Sequence, residues 1–177
     1  MAKLLNIRYR IILSVIFNLQ FINMQDHLKL IDSFFIAFSE RDFNTMKSLA
    51  KSSLIYYDPL YGYLNDEDVF LMWESRYSKN DFRLNYQDIK DEGDGYFTVK
   101  IEVIYFHKKI IRQQMKAYFK IENGFIAEYS HGFSVHQLCK QEYGLFGILL
   151  GWNRLIQHRI KNDARRELLA FKSELKN

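Results

Sequence analysis

At 177 residues the chain is long enough for one domain that buries about 70% of its unfolded surface without staples. With 48% hydrophobic and 26% charged residues it is neither disordered nor of low complexity, and its lone cysteine, Cys139, excludes an internal disulfide or a cysteine metal cluster. The formal charge of +4 is local: residues 152–177 carry seven Lys/Arg against three acids, a difference equal to the whole excess, so no general basic surface points to nucleic acid.

Residues 1–23 differ from the rest. Lys3, Arg8 and Arg10 precede the apolar run Ile11–Ile22, as in a signal peptide, but no small-residue cleavage site follows and Asn18 and Gln20 interrupt the run. A membrane span needs about 20 apolar residues, more than this segment offers. Met24 comes next, so 1–23 is expected to be an N-terminal extension arising from an upstream start site, with an amphipathic anchor as the alternative; membrane contact is expected only if the segment is retained. The single domain is then 24–177.

Ile31, Phe34, Phe35 and Phe38 recur at i, i+3, i+4 and i+7, which predicts an amphipathic helix over 26–40. "RDFNTMKSLAK" continues as a short second helix with Phe43, Met46 and Leu49 inward. "SLIYYDPLYG" reads as a strand that Pro59 and Gly62 turn out of the sheet. Asn65-Asp-Glu-Asp68 is suited to cap a third helix, whose apolar stripe is Val69, Phe70, Met72 and Trp73.

From residue 82 the period changes to two. Phe97, Val99, Ile101, Val103 and Tyr105 share one strand face, and Ile111, Gln113, Met115, Ala117, Phe119 and Ile121 share another. Asn123-Gly124 predicts a tight hairpin turn into a last strand where Phe125, Ala127, Tyr129, His131 and Phe133 are in phase. An apolar loop with three glycines, "YGLFGILLGW", leads to a basic helix over 153–173, whose charged positions suit a solvated face. The elements predict an α+β fold: three N-terminal helices packed on a strongly curved antiparallel sheet, plus a C-terminal helix.

This order, with "YYDPLYGYL" (Asp58, Pro59, Tyr61), "LMW" (Met72, Trp73), "YSHGFSV" and "YGLFGILLGWNRLIQHRIKNDA", resembles the nuclear transport factor 2-like superfamily, in its SnoaL-like or polyketide cyclase-like branch. The resemblance covers about residues 25–172 and implies a cone with an interior pocket. Phe146 stands where the branch has a proline, the proline after the tryptophan is absent, and His131 stands where the branch has an aspartate. In polyketide cyclases of this fold an acidic residue on that last strand is the acid/base of an intramolecular aldol closure. The resemblance therefore implies a pocket protein in which His131 takes that place.

His131 is the candidate catalytic residue, because a neutral imidazole can move a proton near pH 7; a buried histidine bonded to a tyrosine is the plainer alternative. Asp58 is either a pocket carboxylate or the anchor of a turn before Pro59, the commoner role. Gln113, among apolar inward neighbours, needs a hydrogen-bond partner such as a ligand carbonyl. Tyr57, Tyr61, Trp73, Tyr105 and Phe133 are candidates to wall an aromatic cavity or to be core, since Phe and Tyr together are unusually frequent here. The five histidines show no metal-ligand spacing, and no glycine-rich phosphate loop or serine elbow is present, so neither metal nor cofactor is expected.

Two functions follow as expectations. One is an acid/base isomerase or cyclase acting on a hydrophobic carbonyl compound; the other is a ligand-binding or dimerisation module without chemistry. A cytoplasmic homodimer is expected, without nucleic acid, its outer sheet face carrying Tyr96, Ile104 and Phe106.

Overall fold

The computed structural model describes residues 24–65, 67–77, 82–106, 110–144, 147 and 153–175. The expected extension 1–23 and most of the glycine loop lie outside the described residues.

Helix α1 runs through residues 24–40, and Ile31, Phe34, Phe35 and Phe38 are all fully buried, as their spacing requires. Arg41, at φ 62, breaks the helix, and the Asp42 carboxylate accepts the Thr45 N–H at 3.0 Å to cap α2 (Phe43–Ser48). Strands β1 (Ala50–Asp58) and β2 (Gly62–Asn65) form a hairpin joined by Pro59, Leu60 and Tyr61. A three-residue hairpin loop commonly closes on a left-handed residue, and Gly62 supplies it at φ 75. Helix α3 (Glu67–Tyr77) opens on Glu67 and Asp68, acids at the positive end of its dipole. Asp66, in the expected cap, lies outside the described residues.

Strands β3 (Phe82–Gly93), β4 (Tyr96–Phe106), β5 (Ile110–Glu122) and β6 (Phe125–Gly132) form an antiparallel meander. Asn123 and Gly124 both take positive φ, 53 and 78, as a tight β5–β6 turn demands. Further helices among the described residues are α4 (Val135–Tyr143), capped by Ser134, and α5 (Arg154–Glu174), capped by Asn153. The second matches the expected C-terminal helix; α4 was not among the expected elements.

The six strands lie in the order β2-β1-β6-β5-β4-β3 and form one curled, unclosed sheet. Two features depart from the sequence reading. The sheet is not wholly antiparallel, because β6 inserts beside β1 and runs parallel to it. Strand β6 also carries a bulge: Ile126 faces Ile121 and Glu128 faces Lys120, leaving Ala127 as an extra residue. One extra residue reverses the strand's phase, so Phe125 points outward at 45% exposure while Tyr129 and His131 point in.

Rings fill one end of the inner face. Phe34 meets Phe35, Phe38, Trp73, Phe119 and Tyr129 at centroid distances between 5.1 and 6.4 Å. Among the described residues no helix is long and apolar enough to cross a membrane.

Candidate functional site

The parallel pairing decides which side chains meet. Tyr56 on β1 lies beside Tyr129 on β6, and on the other side of β6 His131 faces Ala117 of β5. A methyl group opposite the imidazole leaves it room to lie across the inner face. The next inward residues along β5 are Met115 and Gln113, and Gln113 faces Val103 of β4. The curl of the sheet gathers these positions at one end of the cone.

There the polar groups satisfy one another in a chain. Asp58 is buried, and its Oδ1 accepts the Leu60 N–H at 2.8 Å and the Tyr61 N–H at 2.6 Å. Its Oδ2 accepts the Tyr56 hydroxyl proton at 2.8 Å. Having given its one proton to the carboxylate, Tyr56 Oη can only accept from His131 Nδ1, 3.0 Å away. A neutral imidazole protonated at Nδ1 is an acceptor at Nε2, and there the Tyr129 hydroxyl donates. The protons therefore point one way, from Tyr129 through His131 and Tyr56 to Asp58.

Burial pushes the Tyr56 phenol well above its ordinary range, with the Asp58 carboxylate adding to the effect. Burial alone does the same for Tyr129. Both hydroxyls thus keep their protons at neutral pH and can serve as donors.

Beside this chain is a cavity lined by Tyr56, Asp58, Met72, Tyr77, Tyr105, Gln113, Met115, His131 and Phe133. Its volume is about 10 Å³, space for one water-sized group, smaller than the open aromatic cavity expected from composition. The reason is filling by large side chains, with the Tyr77 and Tyr105 hydroxyls 3.2 Å apart across it from α3 to β4. Gln113 is 6% exposed, and its Nε2 has no hydrogen-bond partner among the described residues.

Of the residues singled out from sequence, Asp58, Tyr105, Gln113, His131 and Phe133 come together here. Asp58 fills both roles weighed for it, anchoring the turn with one oxygen and facing the chain with the other. Tyr61 and Trp73 do not line the cavity. Tyr61 lies in the β1–β2 loop, where its backbone serves Asp58, and Trp73 is fully buried against Phe34, Tyr56, Phe70 and Tyr129. Tyr57 points outward, 40% exposed, and its neighbour Tyr56 takes the inward place. Tyr56, Tyr129, Tyr77, Met72 and Met115 are the site residues that sequence reasoning missed. No hydropathy contrast marks Tyr56 on β1, where Leu54, Tyr56 and Asp58 alternate inward with Ile55 and Tyr57 outward.

Among the described residues no three His, Cys, Asp or Glu side chains are grouped to hold a metal ion.

No family model matches this chain, and no curated relative does. Solved structures are similar to it. An LEH-like epoxide hydrolase of M. tuberculosis superimposes with a TM-score of 0.59 at 14% identity, covering 71% of this chain and 96% of its own. A polyketide cyclase-like protein from Xanthomonas campestris pv. campestris gives 0.56 at 13% identity, over 66% and 96%. An NTF2-like protein of unknown function from Burkholderia pseudomallei gives 0.57 at 13% identity, again over 66% and 96%. At such identities the shared property is the fold, and the fold is the nuclear transport factor 2-like cone that SnoaL-like proteins also use.

Proposed function

We propose that this chain binds a small hydrophobic carbonyl compound at the polar end of the cone and moves a proton on it, as an isomerase or cyclase does. The observation that carries the reading is Gln113 Nε2, a buried donor without a partner among the described residues, beside a hydrogen-bonded chain that ends in a carboxylate. A buried amide donor is satisfied by a carbonyl oxygen and strengthens its hold as that oxygen becomes negative.

On this reading His131 is the proton shuttle. With the Tyr129 hydroxyl turned aside, Nε2 takes a proton from the carbon next to the carbonyl, and the C–H electron pair moves into an enolate whose oxygen Gln113 holds. The imidazolium charge is then supported through Nδ1–H, Tyr56 and the Asp58 carboxylate. Return of the proton to another carbon completes an isomerisation. Alternatively the enolate carbon attacks a second carbonyl, and the proton goes to the new alkoxide. A ligand larger than a water-sized group must part the Tyr77 and Tyr105 hydroxyls, leaving its polar head near Gln113.

The test is a thermal-shift panel of terpenoid-like and steroid-like ketones on the wild type and on Gln113→Leu, alongside native mass spectrometry of protein from its own host. Ketones should raise the melting temperature of the wild type far more than that of the variant. A panel that shifts neither protein sinks the reading.

A second reading, ligand binding or dimerisation without chemistry, draws on one observation: both ring nitrogens of His131 already have partners. There the outer sheet face, with Tyr96 and Phe106 half exposed, would seat a second copy. Ile104, by contrast, is covered within the chain, between its cross-strand neighbours Arg83 and Arg112. Light scattering that finds only a 21.3 kDa species at micromolar concentration removes the dimer.

A further inference from the structure

We infer that Arg165 of α5, which lines no part of the cavity, is a positioning residue: it fixes the β1–β2 turn that orients Asp58, and so decides which nitrogen of His131 carries the proton. The inference rests on the hydrogen-bonded chain used in the proposed function, but it requires no turnover.

Arg165 Nε–H donates to the Tyr61 carbonyl at 2.9 Å, across 104 residues of sequence. Its guanidinium also lies directly over Gly62, where an added Cβ would stand 2.6 Å from Nη2. Gly62 therefore meets two demands at once. Its φ of 75 closes the hairpin, and its missing side chain admits the guanidinium to the backbone. Asp58 and Gly62 are the terminal pair of that hairpin.

The geometry links the two ends. Tyr61 N–H reaches Asp58 Oδ1, while Tyr61 C=O receives Arg165, so adjacent peptide planes share one Cα between the carboxylate and the guanidinium. If the 61–62 plane turns, the strain falls on the shared Cα and weakens the Tyr61 N–H contact to Oδ1. Oδ1 is then left with the Leu60 N–H alone, a single contact about which the carboxyl can turn, and Oδ2 no longer dictates the direction of the Tyr56 proton. Burial of Leu60 and Tyr61 holds the loop in place, but it does not set a peptide plane. Strand β2 is held to β1 by its pairing, but none of its four residues is buried.

Helix α5 is built to deliver this contact. Its fully packed residues are Ala164 and Leu168, which flank Arg165, and Lys172 ties the next turn to Asp68 of α3 at 2.5 Å. The helix is thus pinned where the guanidinium must be held.

The experiment reads the histidine ring directly. In the full chain labelled with nitrogen-15 histidine, the His131 signals are assigned by their loss in His131→Phe, and their shifts separate a protonated nitrogen from a bare one. The wild type should show protonated Nδ1 and bare Nε2. Asp58→Asn, whose amide can donate to Tyr56, should turn the Tyr56 proton toward Nδ1 and reverse the pattern; no change there means the chain itself has been misassigned. Given that reversal, Arg165→Met should give a mixed pattern and Arg165→Lys, which keeps a donor, should restore the wild-type one. Lys172→Met loosens α5 without touching the turn and should leave the pattern intact. The inference is overturned by a wild-type pattern in Arg165→Met, or by Lys172→Met disturbing the ring equally. Arg165→Gln, too short to reach the carbonyl, gives the same two-way answer should the methionine variant not fold.

Discussion

The two ends of the inner sheet face are packed by opposite means. At one end Phe34, Phe38, Trp73 and Phe119 interlock with no polar group to satisfy except the Trp73 indole N–H. At the other, on β1 and β6, Asp58, Tyr56, His131 and Tyr129 are also buried but hold one another by hydrogen bonds. Tyr129 belongs to both, its ring against Phe34 and its hydroxyl on the histidine. An apolar interior is less exacting, because edge-to-face ring contacts need no matched donor and acceptor. A buried polar chain is more so, since each proton must point somewhere. That directionality makes the polar end the candidate for chemistry and the aromatic end the scaffold.

The largest effect is expected at the scaffold. Phe34→Ala removes a fully buried ring touching five others, and denaturant unfolding should show a loss of about 3–5 kcal/mol. A loss below about 1 kcal/mol would mean that the aromatic cluster does not carry the fold.

At the polar end the expected loss is smaller and of a different kind. His131→Phe keeps the ring contacts with Tyr56 and Tyr129 but takes a partner from each hydroxyl. Unsatisfied buried groups of this type cost about 1–3 kcal/mol, so the variant should be destabilised by about 2 kcal/mol despite its added apolar surface. Unchanged or improved stability would show that the chain contributes nothing to the fold.

The two ends also differ in how openly the sequence shows them. Helix α1 and strand β5 are legible because apolar residues alternate with polar ones: Ile31, Phe34, Phe35 and Phe38 against their polar neighbours, Gln113 as the polar intruder in an apolar phase. Strand β1 reads "LIYYD", where inward and outward positions are both apolar or aromatic, so periodicity could not choose Tyr56 over Tyr57. The bulge at Ala127 is a backbone event, and with Phe125, Ile126 and Ala127 in succession no hydropathy contrast marks it. The bond from Tyr56 to His131 spans 75 residues and depends on the parallel β1–β6 pairing, a non-local fact. Helix α4 had one readable sign, Ser134 as N-cap three residues before Gln137.

Alkaline pH should separate the polar end next. The phenols of Tyr56 and Tyr129 are raised well above 10 in the folded chain, by burial first and, for Tyr56, by Asp58 as well. A raised folded value means the native state keeps protons that the unfolded chain has lost. Their contribution is therefore complete below about pH 10 and is lost as pH rises toward the folded values, at up to ~1.4 kcal/mol per pH unit for each phenol. Phenolate absorbance and denaturation followed together should show at least two of the twelve tyrosines ionising only as the protein unfolds. If all twelve ionise in the folded state, neither hydroxyl is fixed as described.

The smallest expected change carries the opposite sign. Gln113 places an amide at an inward position whose strand neighbours, Ile111 and Met115, are apolar, and its Nε2 donates to nothing among the described residues. Leucine is of similar bulk and brings no donor, so Gln113→Leu removes a desolvated group without opening a large void. In the absence of ligand it should leave stability unchanged or raise it by about 1 kcal/mol in denaturant melts. Residues that serve only packing lose stability when replaced; a residue that serves a ligand can gain it. The same variant should lose most of the thermal shift that a bound ketone gives the wild type. If Gln113→Leu is instead destabilised by about 2 kcal/mol or more, the amide is part of the scaffold, and the boundary between the two ends lies beyond it.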